Sequence, residues 1–105
     1  MAKYVLVYKD GTAPATTQER AVLMQAWRTW VGGLGAVVLD PGNPFGAAAT
    51  ITAAGAVSDG SASAIKGYMI FTAANLAAAT EMAQGCPHRI INDGTIEVYE
   101  TLPID

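Results

Sequence analysis

Few side chains in this 105-residue chain could transfer a proton, act as a nucleophile or bind a metal. His88 is the only histidine, and it could act as a general base in a cleft or lie solvated on a loop. Cys86 is the only cysteine, and it could be a nucleophile or a small core residue. It follows a predicted helix C-terminus, whose negative dipole end raises a thiol pKa, so the core interpretation is favoured. One histidine and one cysteine fall short of a zinc ligand set, and no phosphate-binding glycine loop is present, so we expect no metal and no cofactor.

Further candidates for binding lie in an Asp-Gly turn and on the first predicted helix. Asp59 begins an Asp-Gly turn, which could be only a turn or could bring a carboxylate to the sheet to bind a cation or accept a proton. Arg28 lies beside Met24 on the flank of the first predicted helix, where it could contact an anionic ligand or stay solvated. Trp27 lies on the apolar side of that helix, so it is either a core residue or a platform for a ligand.

Charge and composition exclude several classes of function. The net charge is −3 and no basic cluster is present, so we expect neither nucleic acid nor an anionic membrane as a partner. The apolar run in residues 3–9 is too short for a signal peptide or a membrane span. We therefore expect a cytoplasmic protein.

The elements that must position these residues follow the order strand, helix, strand, arm, strand, helix, strand. The strands are predicted at residues 3–9, 36–39, 66–72 and 95–102, and the helices are predicted from about residue 17 and at 76–84. Residues 40–64 are rich in small residues and are expected to contain a hairpin arm near 49–52. This order predicts one α+β domain over residues 1–105, with a ferredoxin-like βαββαβ fold, an antiparallel four-stranded sheet and both helices on one face.

Local signals mark the ends of both helices. Thr16 and Glu19 match a capping box before the first helix, and Asn75 is the predicted N-cap of the second. Gly32 and Gly33, followed by Gly35, are expected to supply the positive φ angles at the C-terminus of the first helix.

The first and third predicted strands are apolar on both faces. Val5 and Val7 alternate with Tyr4, Leu6 and Tyr8, and Met69 and Phe71 alternate with Tyr68 and Ile70. The helices can cover only one face of the sheet, so the other face requires a partner. The simplest partner is a second copy of the chain, which predicts a two-fold homodimer through the sheet face.

Several short motifs occur in an order that resembles a known family. They are Lys3-Tyr4-Val5-Leu6, Ala26-Trp27, Ser58-Asp59-Gly60, Lys66-Gly67-Tyr68-Met69-Ile70, Ala83-Gln84-Gly85-Cys86-Pro87 and Gly94-Thr95-Ile96-Glu97-Val98. Together they resemble the YCII-related family over nearly the whole chain, most closely its subgroup named for an Asp-Gly-Pro-Phe motif. Ser61 and Ala62 stand where that motif has Pro and Phe. The resemblance implies a dimeric α+β barrel in which ferredoxin-like chains pack sheet to sheet.

The resemblance also implies a cleft between the first helix and the sheet, where some members look like enzymes with a His and an Asp as an acid–base pair. The corresponding positions here are Met24 and Cys86, and neither suits acid–base catalysis. The first hypothesis is therefore a dimeric protein that binds a small molecule in this cleft, with a lining of Met24, Trp27, Arg28, Asp59, Tyr68 and Cys86. One alternative is a lyase or isomerase of the dimeric-barrel type, acting on a small aromatic or lactone-like substrate with Asp59 or His88 as base. Another is a regulatory or interaction module.

Overall fold

The computed structural model describes residues 1–104, which form six strands and three α-helices. The strands are β1 (Ala2–Asp10), β2 (Val38–Asp40), β3 (Ala49–Ile51), β4 (Val57–Asp59), β5 (Ile65–Ala73) and β6 (Gly94–Glu100). The helices are α1 (Thr17–Leu34), α2 (Leu76–Ala83) and α3 (Pro87–Ile90). None of the helices in this range is long and apolar enough to cross a membrane.

Four strands form one antiparallel sheet in the order β2-β5-β1-β6. The predicted α+β class and the predicted four-stranded antiparallel sheet are therefore confirmed. β2 and β6 are edge strands, so the sheet of one chain is open and does not close into a barrel. β2 begins two residues later than the predicted strand at 36–39, because one turn of 3₁₀-helix at Gly35–Val37 follows α1. The four-residue helix α3 was not predicted.

The core lies on one face of the sheet, under the helices. The register places Tyr4 opposite Phe71 and Leu6 opposite Met69, and all four side chains are buried. The rest of the buried core is Ala73, Ala79, Ala83 and Cys86, and partly buried side chains of α1 pack against it, namely Trp27, Trp30, Val31 and Leu34. The small side chains of α2 allow this helix to lie close to the sheet.

The helices leave the opposite face of the sheet partly exposed. Val5 pairs with Ile70 and Val7 pairs with Tyr68 on this face, because successive side chains of a strand point to opposite sides. None of these four apolar residues is fully buried. The molecule is accordingly thin, with principal extents of 44, 43 and 18 Å.

The predicted helix caps are confirmed, with one correction. Thr16 Oγ1 accepts a hydrogen bond from the Glu19 amide at 3.0 Å, and Asn75 Oδ1 accepts one from the Ala78 amide at 2.9 Å. Gly35 is the C-cap of α1 and has a φ of 68°. The prediction is wrong for the two preceding glycines at 32 and 33, which lie inside α1 because the helix continues through residue 34.

The hairpin predicted within residues 40–64 is also confirmed. β3 and β4 form a separate two-stranded sheet, which we call the arm. Ile51 and Val57 lie directly opposite each other on it and are 70% and 68% exposed. The arm therefore carries apolar side chains that its own chain does not bury.

Candidate functional site

A cleft of about 930 Å³ opens between α1, the loop 41–45 after β2, and the adjoining ends of β1 and β5. Its apolar wall is formed mainly by Tyr8, Leu23, Met24, Trp27, Val31 and Phe45. Its larger polar side chains are Arg28, Asn43, Lys66, His88 and Asn92. A concave, mostly apolar site with a few polar groups is typical of small-molecule binding sites.

Aromatic rings form one wall of the cleft. The Tyr8 ring packs against those of His88 and Trp27, at centroid distances of 5.1 and 5.4 Å. A Cβ at Gly67 would overlap the Tyr8 ring, so this glycine provides the space that the tyrosine occupies. Burial raises the pKa of Tyr8, which is therefore a neutral phenol at neutral pH.

His88 is held in one orientation at the cleft. It lies in α3 and is only 7% exposed, so the interpretation as a solvated loop residue is wrong. Its Nε2 donates a hydrogen bond to the Lys9 carbonyl oxygen at 2.7 Å, since a carbonyl oxygen can only accept. In the neutral ring, Nδ1 then carries the lone pair. Pro87 at the first helical position was the sequence signal for α3, although such a proline also suits a helix stop.

Asn92 lines the same cleft and carries a buried acceptor that has no partner in the described part of the chain. Its side-chain Nδ2 donates to the backbone carbonyl oxygen of Thr12 at 2.7 Å, and its backbone carbonyl oxygen accepts from the Thr12 amide at 2.8 Å. The side chain is 8% exposed, and its Oδ1 has no hydrogen-bond partner among residues 1–104. An unsatisfied buried acceptor costs on the order of 1–3 kcal/mol.

Two cations lie among the more exposed residues of the cleft. Arg28 Nη1 donates to Gln25 Oε1 at 3.3 Å, and Lys66 Nζ makes a long contact of 3.5 Å to the Gly11 carbonyl oxygen. Neither residue forms an ion pair within residues 1–104. Both charges can therefore attract an anion at the cleft.

Three of the predicted binding residues, Met24, Trp27 and Arg28, line the cleft. They share one flank of α1, because residues three and four positions apart lie on the same side of a helix. His88, predicted as a candidate base, lies there too. Sequence reasoning missed Tyr8, Lys66 and Asn92, which reach the cleft through strand pairing and loop packing that no local pattern encodes.

The other three predicted residues lie outside the cleft lining. Asp59 is exposed at the end of β4 on the arm. Tyr68 points to the opposite face of the sheet, where its hydroxyl donates to Asp40 Oδ2 at 3.0 Å, and this bond raises the pKa of Tyr68. Cys86 is fully buried in the core, and burial raises the pKa of its thiol, which makes it a poor nucleophile. The predicted lining is therefore corrected at these three positions.

The arrangement can bind an apolar body against the aromatic wall and polar groups at His88, Asn92 and the two cations. Within residues 1–104, no group of three or more His, Cys, Asp or Glu side chains could hold a metal ion. Comparison with models of protein families matches no family, and comparison with curated proteins matches no relative.

Proposed function

We propose that this chain is a dimeric small-molecule-binding protein of the YCII-related type, with the cleft beside α1 as its binding site. The observation that carries the proposal is the cleft itself, an apolar wall with a few polar groups around a volume of about 930 Å³. Small-molecule sites have this size and this character. Protein interiors are otherwise packed with few voids, so an open volume beside the core favours a binding role.

The sheet order supports the fold and family part of the proposal. Among the four strands of the main sheet, the first in sequence, β1, lies between the third and the fourth, β5 and β6. This order supports a ferredoxin-like split βαβ fold. In a dimeric α+β barrel, two such sheets pack through the faces that their helices leave open.

The exposed sheet face supports a second copy as its partner. Its apolar centre contains Val7 and Ile70, and its edge carries Lys9 and Glu97, whose side chains approach to 3.7 Å. A surface that carries both signs of charge around an apolar centre can be complementary to itself across a two-fold axis. We therefore propose the sheet-to-sheet homodimer as the functional form.

Binding can be tested with two dyes, anilinonaphthalene sulfonate and the uncharged phenylnaphthylamine, which fluoresce when their shared aromatic body enters an apolar site. We expect the folded protein to bind at least one of them, with energy transfer from Trp27. Gly32→Phe should weaken binding about tenfold by occupying part of this space, because Gly32 lines the cleft and a Cβ added there meets no atom within 4 Å.

Gly33→Phe is the matched control, because a Cβ added there also meets no atom within 4 Å but Gly33 does not line the cleft. It should leave dye affinity unchanged. The proposal fails if neither dye binds the folded chain, or if both variants lose the same affinity.

A second candidate function is an isomerase in the same cleft, and the geometry of His88 favours it. The bond from Nε2 to the Lys9 carbonyl leaves Nδ1 to remove a proton from the carbon beside a lactone carbonyl and return it elsewhere on the ring. Of the two predicted bases, His88 lies at the cleft, whereas Asp59 lies on the arm.

The shift of a double bond in an unsaturated lactone, followed by absorbance, tests this function. His88→Gln should slow the shift at least about a hundredfold, and a native rate equal to that in buffer would exclude the activity.

A further inference from the structure

The charges that line the cleft are all of one sign. Arg28 on α1 and Lys66 on β5 line it, and no Asp or Glu among residues 1–104 does. The whole chain has nine acidic and six basic residues, so a lining drawn at random from the chain would contain more acidic than basic residues. Neither cation is neutralised by an ion pair in the part of the chain that the structure describes. The cleft is therefore an electropositive site on a protein of net negative charge.

The two buried polar residues of the cleft present acceptors. Asn92 uses its Nδ2 on Thr12, which leaves Oδ1 buried and unpartnered among residues 1–104. His88 uses its Nε2–H on Lys9, which leaves Nδ1 as an acceptor in the neutral ring. Both residues are less than a tenth exposed, whereas Arg28 and Lys66 are exposed. Polarity thus changes from donors at the exposed side of the cleft to acceptors at its buried side.

The wall between these groups is apolar and includes the rings of Trp27 and Phe45. An inorganic anion would contact the cations and leave these rings in water, whereas an aromatic ligand would cover them. A ligand that matches all three parts of the cleft has an anionic group, an aromatic body and a hydrogen-bond donor at the far end.

We propose that the cleft selects an aromatic acid that carries a hydroxyl group. The carboxylate lies by Arg28 and Lys66, the ring lies against Trp27 and Phe45, and the hydroxyl donates to Nδ1 of His88. This inference rests on the proposed binding function and adds the chemical class of the ligand to it.

Three naphthalenes test the inference by displacement of whichever dye binds: hydroxynaphthoate with its two groups at opposite ends, naphthoate and naphthol. Hydroxynaphthoate should bind most tightly. We expect naphthoate to bind about threefold more weakly and naphthol about tenfold more weakly, since a charged contact contributes more than a neutral one. The affinity of both acids should fall with added salt, whereas that of naphthol should not.

Arg28→Gln tests the position of the anion. It should lower the affinity of both acids about fivefold and leave that of naphthol unchanged, because the variant removes a charge at the exposed side and not at the wall. Arg20→Gln is the matched control, since Arg20 is exposed on the same helix but does not line the cleft.

The possible outcomes distinguish a failure of this inference from a failure of the proposed binding function. Equal affinities for all three naphthalenes, lost in Gly32→Phe, would overturn the selection of an acid and leave the binding function standing. Equal affinities for hydroxynaphthoate and naphthoate would overturn the role of the hydroxyl alone. If no dye and no naphthalene binds the folded chain, the proposed function itself fails.

Discussion

The imidazole of His88 occupies space that a glycine leaves open. A Cβ added at Gly94 would overlap the ring. We therefore expect Gly94→Ala to displace the ring from the Lys9 carbonyl and to lower the free energy of unfolding by about 1–3 kcal/mol, the usual cost of overpacking. Urea unfolding measures this change. Gly33→Ala is the control and should be neutral or stabilising, because its Cβ meets no atom within 4 Å and alanine favours the helix.

A double-mutant cycle identifies the cause of the loss. In a His88→Ala background the ring is absent, so Gly94→Ala should cost much less than it does in the native chain. The same loss in both backgrounds would mean that alanine disturbs β6 directly, and the explanation through the ring would be wrong.

The placement of a single side chain was predictable where the period of its helix or strand determines the side on which it lies. Met24 and Arg28 were placed on one flank of the first helix from their spacing, and both line the cleft. Tyr8 was recognised only as a strand residue, because the space that it fills arises from its pairing with Gly67. Asn92 has no periodic context, and its buried side chain depends on a contact with a loop eighty residues earlier.

At the level of elements, α1 depends strongly on its N-terminal cap, because none of its residues is fully buried. Thr16 Oγ1 accepts from the Glu19 amide at 3.0 Å, and Glu19 Oε2 accepts in turn from the Ala15 amide at 2.8 Å. Thr16→Ala should lower the free energy of unfolding by about 1 kcal/mol, measured in urea. Thr29→Ala removes an exposed threonine from the middle of the same helix and should be neutral or stabilising. Equal losses in the two variants would contradict a specific role of the cap.

Long elements were predicted more closely than short ones. β1 and β5 each have nine residues and strong β-formers, and α1 has both a cap and an apolar stripe. β2 has three residues and α3 has four, which is too short for a period to be recognised. β2 is defined by its pairing with β5, so its limits depend on tertiary contacts.

The shape of the whole molecule indicates that part of its apolar surface lacks a partner to cover it. The radius of gyration is 15.1 Å, against about 13 Å for a globular chain of this length, and the shortest extent is 18 Å. Ile51 and Val57 are exposed on the arm, and an isolated two-stranded hairpin is marginally stable in water. The sequence predicted the apolar face through the pattern of β1 and β5 and predicted that the helices leave it open, but it could not show that the arm leaves this face open too.

The proposed dimer makes a prediction that joins this face to the cleft. Val7→Lys places a charge on the exposed sheet face and should convert a dimer of about twice 10.8 kDa into a monomer in light scattering. Val22→Lys is the control, because Val22 is 58% exposed on α1 and should not affect assembly. A native chain that is monomeric at about ten micromolar would contradict the dimer.

Tyr68 of the exposed face stacks on Phe45 of the cleft at 5.6 Å, so loss of the partner should loosen this wall. The monomeric variant should therefore also bind the dyes more weakly, and unchanged dye affinity in a folded monomer would show that the face and the cleft are independent.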